Sequence, residues 1–539
     1  MHKTKVEQDV KNLISKTPKE VSHVTNTLEK DGFEAYLVGG CVRDLLMSKE
    51  PNDWDITTNA KPEQIISLFE KTVYENGFGT VAVVVPRETH QEDVSHGTNP
   101  IPLSEEKNMI IEVTPYRIEA KYSDFRHPDE VKFSDKLEDD LKRRDFTVNA
   151  MALNSKGHLV DFFDGIKDIN EKTIKAVGNP DDRFAEDALR MLRAVRLSCQ
   201  LNFSVAYETM QSILKNSELI KKISEERIRD EFVKIIMSEN SANGIVMLQK
   251  FNLLKNIIPE LEEGIGCEQS GEHIYDVWNH LLHALEHATN KNWSLEIRLA
   301  ALFHDIGKPR SRRIAERIDN LSGPRSFGSL PRPDHDKSSI RSAKKKFTFY
   351  GHEVVSTRMA KKIMERLKFP KKEIELVEKL VRNHMFFSDT ELITLSAVRR
   401  IIAKVGKENI WLLMNVRECD RVGMKKKETP YRLRKYFAMI EEALRDPISV
   451  GQLKINGEFM IKELGITPGP RMGWILHALL EEVLDAPEKN TVEHLSELVK
   501  SLNMLGDTEL KTLGLRGKEK KEELEEEEVV KLHKKHGVK

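Results

Sequence analysis

Residues 35–59 read AYLVGGCVRDLLMSKEPNDWDITTN, and this stretch decides how the N-terminal part of the chain is built. The run AYLV carries residue types that suit a pleated, half-buried surface. Gly39 and Gly40 follow, and CVRDLLM then takes helical spacing. Two glycines at a strand-to-helix junction let the backbone approach a ligand closely. The free N–H groups and positive dipole end of the helix favour a phosphate there. Arg43, in the first turn, can fork onto phosphate oxygens. Downstream, DWDITTN (53–59) sets Asp53 and Asp55 two apart on a predicted strand. Alternation then points both carboxylates to one face and Trp54 to the other. Adjacent carboxylates repel unless a cation lies between them. Hard oxygen donors suit magnesium shared with substrate phosphates. An isolated Asp-x-Asp is most often a solvated turn. Close behind a Gly-Gly helix start, it points instead to metal-assisted in-line displacement at phosphorus.

Working outward, TVAVVVP (80–86) and MIIEVTPYR (109–117) predict further strands, and KPEQIISLFEK (61–71) a helix. Residues 89–108 have the polarity of a loop between strands. Helical periodicity takes over from about residue 180. The predicted class is α+β: a head with a small mixed β-sheet, then an all-helical body. The expected domains are a head over 1–175, a helical neck over 176–261, a helical domain over 262–446, and a helical C-terminal region with a charged tail over 447–539. Segment 309–346 carries 11 Lys/Arg against 4 Asp/Glu and is rich in Ser, Pro and Gly. It reads as a flexible basic insertion.

Composition narrows the function classes. The chain has 539 residues, 39% hydrophobic and 32% charged, so several cores are affordable beneath a charged surface. With 86 Lys+Arg against 87 Asp+Glu, a uniformly basic nucleic-acid coat is excluded, though local patches are not. The four cysteines form no CxxC, which argues against a disulfide scaffold or zinc ribbon and fits a reducing cytoplasm. No apolar run approaches the ~18 residues of a membrane span.

Four spaced motifs carry a family resemblance. GGxxRD followed by DxD resembles the polymerase-β nucleotidyltransferase superfamily. LKRRDFTVNAMALN (141–154), GNPDDRFAEDALRMLRAVRLSCQLNF (178–203) and EERIRDEFVKII (225–236) are similar to the RRD motif, the EDxxR motif and the helix that follows in class II tRNA nucleotidyltransferases and bacterial poly(A) polymerases. The resemblance covers about residues 33–260. It implies that Asp53 and Asp55 are catalytic and hold magnesium. It also implies that Gly39, Gly40, Arg43 and Arg144 bind the nucleotide, that Asp187 and Arg190 read its base, and that Arg193 and Arg196 help hold it. The implied substrates are CTP and ATP, added to a tRNA 3′ end.

The base-reading residues also have chemical content of their own. Asp187, Arg190, Arg193 and Arg196 recur every three residues, which on one helix covers one half of its surface. Aspartate accepts hydrogen bonds and arginine donates them. Cytosine and adenine both pair an exocyclic amine donor with a ring-nitrogen acceptor; uracil and guanine do not. An Asp–Arg pair therefore fits C and A, and each mismatch against U or G costs ~1–3 kcal/mol.

A second constellation lies downstream: His280, adjacent His304 and Asp305, His352, His384 and Asp420. This pattern resembles the HD phosphohydrolase superfamily. Imidazole with carboxylate suits a divalent transition metal, which would activate water for attack on phosphorus. His273, His283, His287 and His335 read as ordinary histidines, and Trp278, Trp293 and Trp411 as core. Three alternatives to full CCA addition stay open: a poly(A) polymerase, a CC-only or A-only enzyme, or mainly a phosphohydrolase of the HD type with an RNA-binding N-terminal half. The sequence leaves the oligomeric state open.

Overall fold

The computed structural model describes residues 14, 16–74, 79–86, 108–119, 131–269, 273–314, 347–385, 395–423, 431–444, 451 and 453–516. The chain divides into two compact units: residues 1–382 with 418–424, and residues 383–417 with 425–539.

In the first unit, helix α1 (Lys19–Lys30) leads into β1 (Ala35–Val38), α2 (Gly40–Leu46) and β2 (Asp55–Thr58). Then come α3 (Pro62–Leu68), β3 (Thr72–Tyr74), β4 (Val81–Pro86) and β5 (Asn108–Pro115). A small ribbon, β6 (Arg117–Glu119) and β7 (Val131–Phe133), precedes α4 (Leu137–Lys142). Strands β8 (Met151–Asn154) and β9 (Leu159–Asp161) complete a seven-stranded sheet of order β3-β4-β5-β2-β1-β8-β9. Only the β2–β5 pair in this sheet is parallel, so it is mixed, as expected. One face packs on α1, α2 and α3 through Val24, Leu28, Val42, Leu45, Ile56, Ile65 and Val113. Removing each such side chain from water is worth roughly 1.5–3 kcal/mol. On the other side, Val38, Tyr116, Leu137, Leu141 and Ala152 seat α4. The turn after β1 and the start of β2 are thereby held on a rigid frame.

The neck consists of α5 (Pro180–Glu186), α6 (Leu189–Leu201), α7 (Tyr207–Asn216), α8 (Glu225–Ile236) and α9 (Ser241–Lys250). It is followed by α10 (Val277–Asn290), α11 (Leu295–Phe303), α12 (His352–Arg366) and α13 (Lys371–Asn383). Arg298 of α11 is 2% exposed and donates to the carbonyls of Ile236 and Ser238. It thus satisfies free carbonyls at the end of α8 and joins the neck to the next region. The first residues of the expected basic insertion are ordered: a short helix (Lys308–Ser311) and a strand (Arg313–Ile314) that pairs with Phe347–Thr348. The rest of that segment, the 89–107 loop and the tail from 517 lie outside the described residues.

The second unit is helical among its described residues. Its C-terminal core gathers Met460, Ile475, Leu479, Leu480, Leu495, Val499 and Leu510. Trp411 is 37% exposed and stacks on Phe437 there, so it is not the core residue that its spacing predicts. No helix of the described residues is long and apolar enough to cross a membrane.

Candidate active site

Gly39 precedes α2 with φ 83° and ψ −135°, a region that glycine adopts and other residues avoid. A Cβ placed on it would lie 3.1 Å from Arg144 Nη1 and 3.5 Å from Asp55 Oδ2. Three segments distant in sequence thus converge on one point. Gly40 opens α2, and a Cβ on it would lie 3.6 Å from Arg43 Nη2. Arg43 is itself anchored: Nη1 donates to Asn149 Oδ1 at 2.7 Å, and Nε to Asp44 Oδ1 at 2.9 Å.

Trp54 is 5% exposed, Asp53 is exposed and Asp55 is half-buried. The strand expected to carry both aspartates begins only at Asp55, and Asp53 lies in the bend that precedes it. Burial raises the Asp55 carboxyl pKa above its ordinary value; Arg144 pulls it back and Asp53 adds to the rise. A carboxyl that resists charging beside a second carboxylate is a position where a cation is welcome. Sequence spacing did not single out another acid near Asp55. Glu112 of β5 is exposed and lies in parallel register with Asp55, while Ile56 and Val113, one step on, are both fully buried. Asp55 and Glu112 therefore share a sheet face.

The placement of Asp187 differs from that expected of it. Asp187 is not on the arginine-bearing helix. It has extended backbone (φ −141°, ψ 104°) between α5 and α6. Its Oδ1 accepts the Leu189 N–H at 3.0 Å, and its Oδ2 accepts from Arg227 of α8 at 2.7 Å. A short acidic side chain competes with helix continuation by capping the next turn. Arg190 and Asp187 still flank the same turn. Arg190 Nη1 donates to Glu186 at 2.6 Å, and Nη2 to the Arg143 carbonyl at 3.0 Å. Arg193 and Arg196 are engaged in ion pairs, with Asp145 at 2.6 Å and Glu231 at 2.6 Å. Arg227 is a partner that one-helix periodicity does not reveal.

The downstream cluster draws four residues from three elements. His280 lies on α10, His304 and Asp305 follow α11, and Asp420 ends the helix Ile410–Asp420. All four are buried, and their donor atoms lie within 4.8 Å of one another. His280 Nε2 is 3.3 Å from Asp305 Oδ2, and His304 Nε2 is 3.6 Å from Asp420 Oδ1. Gly423 leaves room for this ring, since a Cβ there would lie 2.5 Å from His280 Nδ1. His304 Nδ1 lies 2.8 Å from the Ala301 carbonyl, and His352 Nδ1 2.7 Å from that of Phe349. Donating Nδ1–H to a carbonyl leaves the Nε2 lone pair for a metal. His352 Nε2 is 3.1 Å from Asp305 Oδ1. His384 is fully buried but falls in the second unit. The imidazole and carboxylate donors fit a divalent metal.

Two further groups border this cluster. Lys308 Nζ sits 2.5 Å from Asp305 Oδ2. His273, read from sequence as ordinary, packs edge-on to His280 with centroids 5.4 Å apart. Burial, then Lys308, lowers its pKa to about 4. His283 and His287 pair with Glu286 and Glu418 instead, and His335 lies outside the described residues.

Residues 35–175 match the poly A polymerase head domain, 202–265 the probable RNA and SrmB-binding site of polymerase A, and 272–424 the HD domain. The CCA-adding enzyme of Lactobacillus delbrueckii subsp. bulgaricus is 46% identical over 218 residues, 40% of this chain and 50% of that protein. That of Enterococcus faecalis is 44% identical over 227 residues, covering 42% and 51%. The chain spans about half the length of the curated relatives it matches. Among solved structures, the Bacillus stearothermophilus CCA-adding enzyme in complex with CTP aligns with a TM-score of 0.55 at 24% identity, covering 90% of this chain and 97% of that one. That likeness speaks to fold. The chain thus carries, in order, a poly A polymerase head domain, a segment similar to the probable RNA and SrmB-binding site of polymerase A, and an HD domain.

Proposed function

We propose that this chain is a template-independent tRNA nucleotidyltransferase that adds C and A to the tRNA 3′ end from CTP and ATP. The convergence of Gly39, Asp55 and Arg144 carries this reading. It puts a phosphate-approaching turn, a metal-type carboxylate and a guanidinium in one place. The names of the relatives, CCA-adding enzymes, and the CTP in the solved neighbour support it.

In the reaction the terminal 3′-oxygen attacks the α-phosphorus, one P–O bond forms, and pyrophosphate leaves. Magnesium held by Asp53 and Asp55 would activate the hydroxyl and offset charge on the triphosphate. The Gly39–Gly40 turn and the start of α2 receive phosphate oxygens through backbone N–H groups. Arg144 donates to the nucleotide beside Asp55, and Arg43 stiffens the turn through Asn149 and Asp44. Asp187 accepts from the exocyclic amine of C or A, while Arg190 donates to the ring nitrogen. Arg193 and Arg196 act on the nucleotide by bracing this turn through Asp145 and Glu231.

The buried His280–His304–Asp305–Asp420 group favours a second, metal-dependent phosphohydrolase activity at the HD domain. His352 would complete its donor set. The four cysteines are free and buried, which accords with a cytoplasmic location. The deciding experiment supplies tRNA lacking CCA with CTP, ATP or both and reads the product ends. Full CCA with both nucleotides is expected. Runs of A alone, or stalling after CC, would replace the reading with a poly(A) or partial-adding enzyme.

A further inference from the structure

Asp140 of α4 is fully buried, yet it is no ordinary core residue. Its Oδ1 accepts from Arg143 Nε at 2.9 Å and Nη2 at 2.5 Å. Its Oδ2 accepts from Arg144 Nη2 at 3.2 Å. Thr57 Oγ1 lies 3.2 Å from that same oxygen and 3.1 Å from the Thr114 carbonyl, two acceptors that share its one proton. Thr57 stands two residues beyond Asp55 on β2. Arg143 offers its carbonyl to Arg190 at 3.0 Å.

We infer that Asp140 is a positioning residue that sets the carboxylate-bearing strand, the nucleotide arginine and the base-reading arginine in one register. The inference rests on the nucleotidyltransferase reading of the head. Three observations argue for positioning over plain stability. A buried ion cluster is a poor source of stability, since apolar residues of similar volume commonly serve as well or better. What the cluster supplies is direction, because a guanidinium bonded to a fixed carboxylate loses its freedom to rotate. Each of the three partners also leads to a different part of the site: Thr57 to Asp55, Arg144 to the Gly39 turn, and Arg143 to Arg190.

The test compares wild type, Asp140→Asn and Thr57→Val on tRNA lacking CCA, with folding checked by thermal melting. Asp140→Asn is expected to raise the KM for CTP and to erode preference for CTP over UTP together. A misplacement of about an ångström would cost on the order of 10²-fold in kcat/KM. Thr57→Val should move both quantities the same way by a smaller factor. A purely structural role would lower the melting temperature or kcat and leave KM and base preference where they were; that result overturns the inference. If Asp140→Asn does not fold, Thr57→Val decides alone, and unchanged KM and preference again overturn it. A wild-type chain that incorporates neither nucleotide would overturn the reading of the head, and this inference with it. Variants indistinguishable from an active wild type overturn this inference only.

Discussion

Arg193 Nη2 lies 2.6 Å from Asp145 Oδ2, and Arg193 Nε lies 2.7 Å from the same oxygen. Burial alone would raise the Asp145 pKa. Together the charges of Arg193 and Arg190, the Arg193 hydrogen bond and the Phe146 N–H outweigh it, and the carboxyl is held at about 2 against an ordinary 3.8. A depressed carboxyl stabilises the fold above its unfolded pKa and loses that contribution as pH falls through the folded one. The pair should therefore contribute about 2 kcal/mol above pH ~4, declining between about pH 4 and pH 2. Denaturant unfolding of wild type and Asp145→Asn across that window should show the difference between them shrinking with acid. A constant difference would refute the assignment.

Gly39→Ala tests the turn. The alanine would have to adopt φ 83° and place its Cβ 3.1 Å from Arg144 Nη1. The backbone strain costs about 1–2 kcal/mol, and Arg144 must also shift. CTP and ATP incorporation should fall at least about tenfold, which corresponds to ~1.4 kcal/mol, while the melting temperature moves only a few degrees. Full activity would place the nucleotide elsewhere.

Asp53→Asn with Asp55→Asn should abolish incorporation and keep tRNA affinity within a small factor, as gel shift would measure. Metal assistance is worth several kcal/mol, so residual activity above ~1% would contradict the role of these carboxylates. Glu112→Gln should lower incorporation less, because Glu112 is more exposed than Asp55.

Asp187→Ala should relax discrimination against UTP by about tenfold or more, given ~1–3 kcal/mol per mismatched contact. Competition between CTP and UTP at fixed tRNA measures this. Arg227→Met, which frees Asp187 Oδ2 from its 2.7 Å contact, should shift the same ratio. An unaltered ratio in both variants would move base reading to other residues.

His280→Ala should remove metal bound at the HD domain, measured by elemental analysis, and any phosphatase activity with it. CTP and ATP incorporation should persist, because the HD cluster shares no residue with the Gly39 turn. Coupled loss of both activities would show that the two sites are not independent.

How far the sequence could be read depended on the range of each interaction. Strand β1, the Gly-Gly turn and helix α2 were legible because alternation and helical spacing are local properties. The HD ligands were legible because imidazole and carboxylate in such numbers are chemically conspicuous. Asp187 was misplaced because spacing alone cannot register a helix that starts two residues late. Glu112, Asp140 and Arg227 escaped because each meets a partner distant in the chain.

Residue order alone determined which groups this protein has to offer: glycines for a phosphate turn, paired aspartates for a cation, an acid and arginines for a base edge, and histidines with aspartates for a second metal. Only the tertiary structure decided which of them meet. Strand register set Glu112 beside Asp55, and packing of α4 against the sheet turned Asp140 toward Thr57 and Arg144. The physical reason is that side-chain direction follows from the local backbone period. Proximity between remote segments follows from the burial of the whole core, which no single stretch contains.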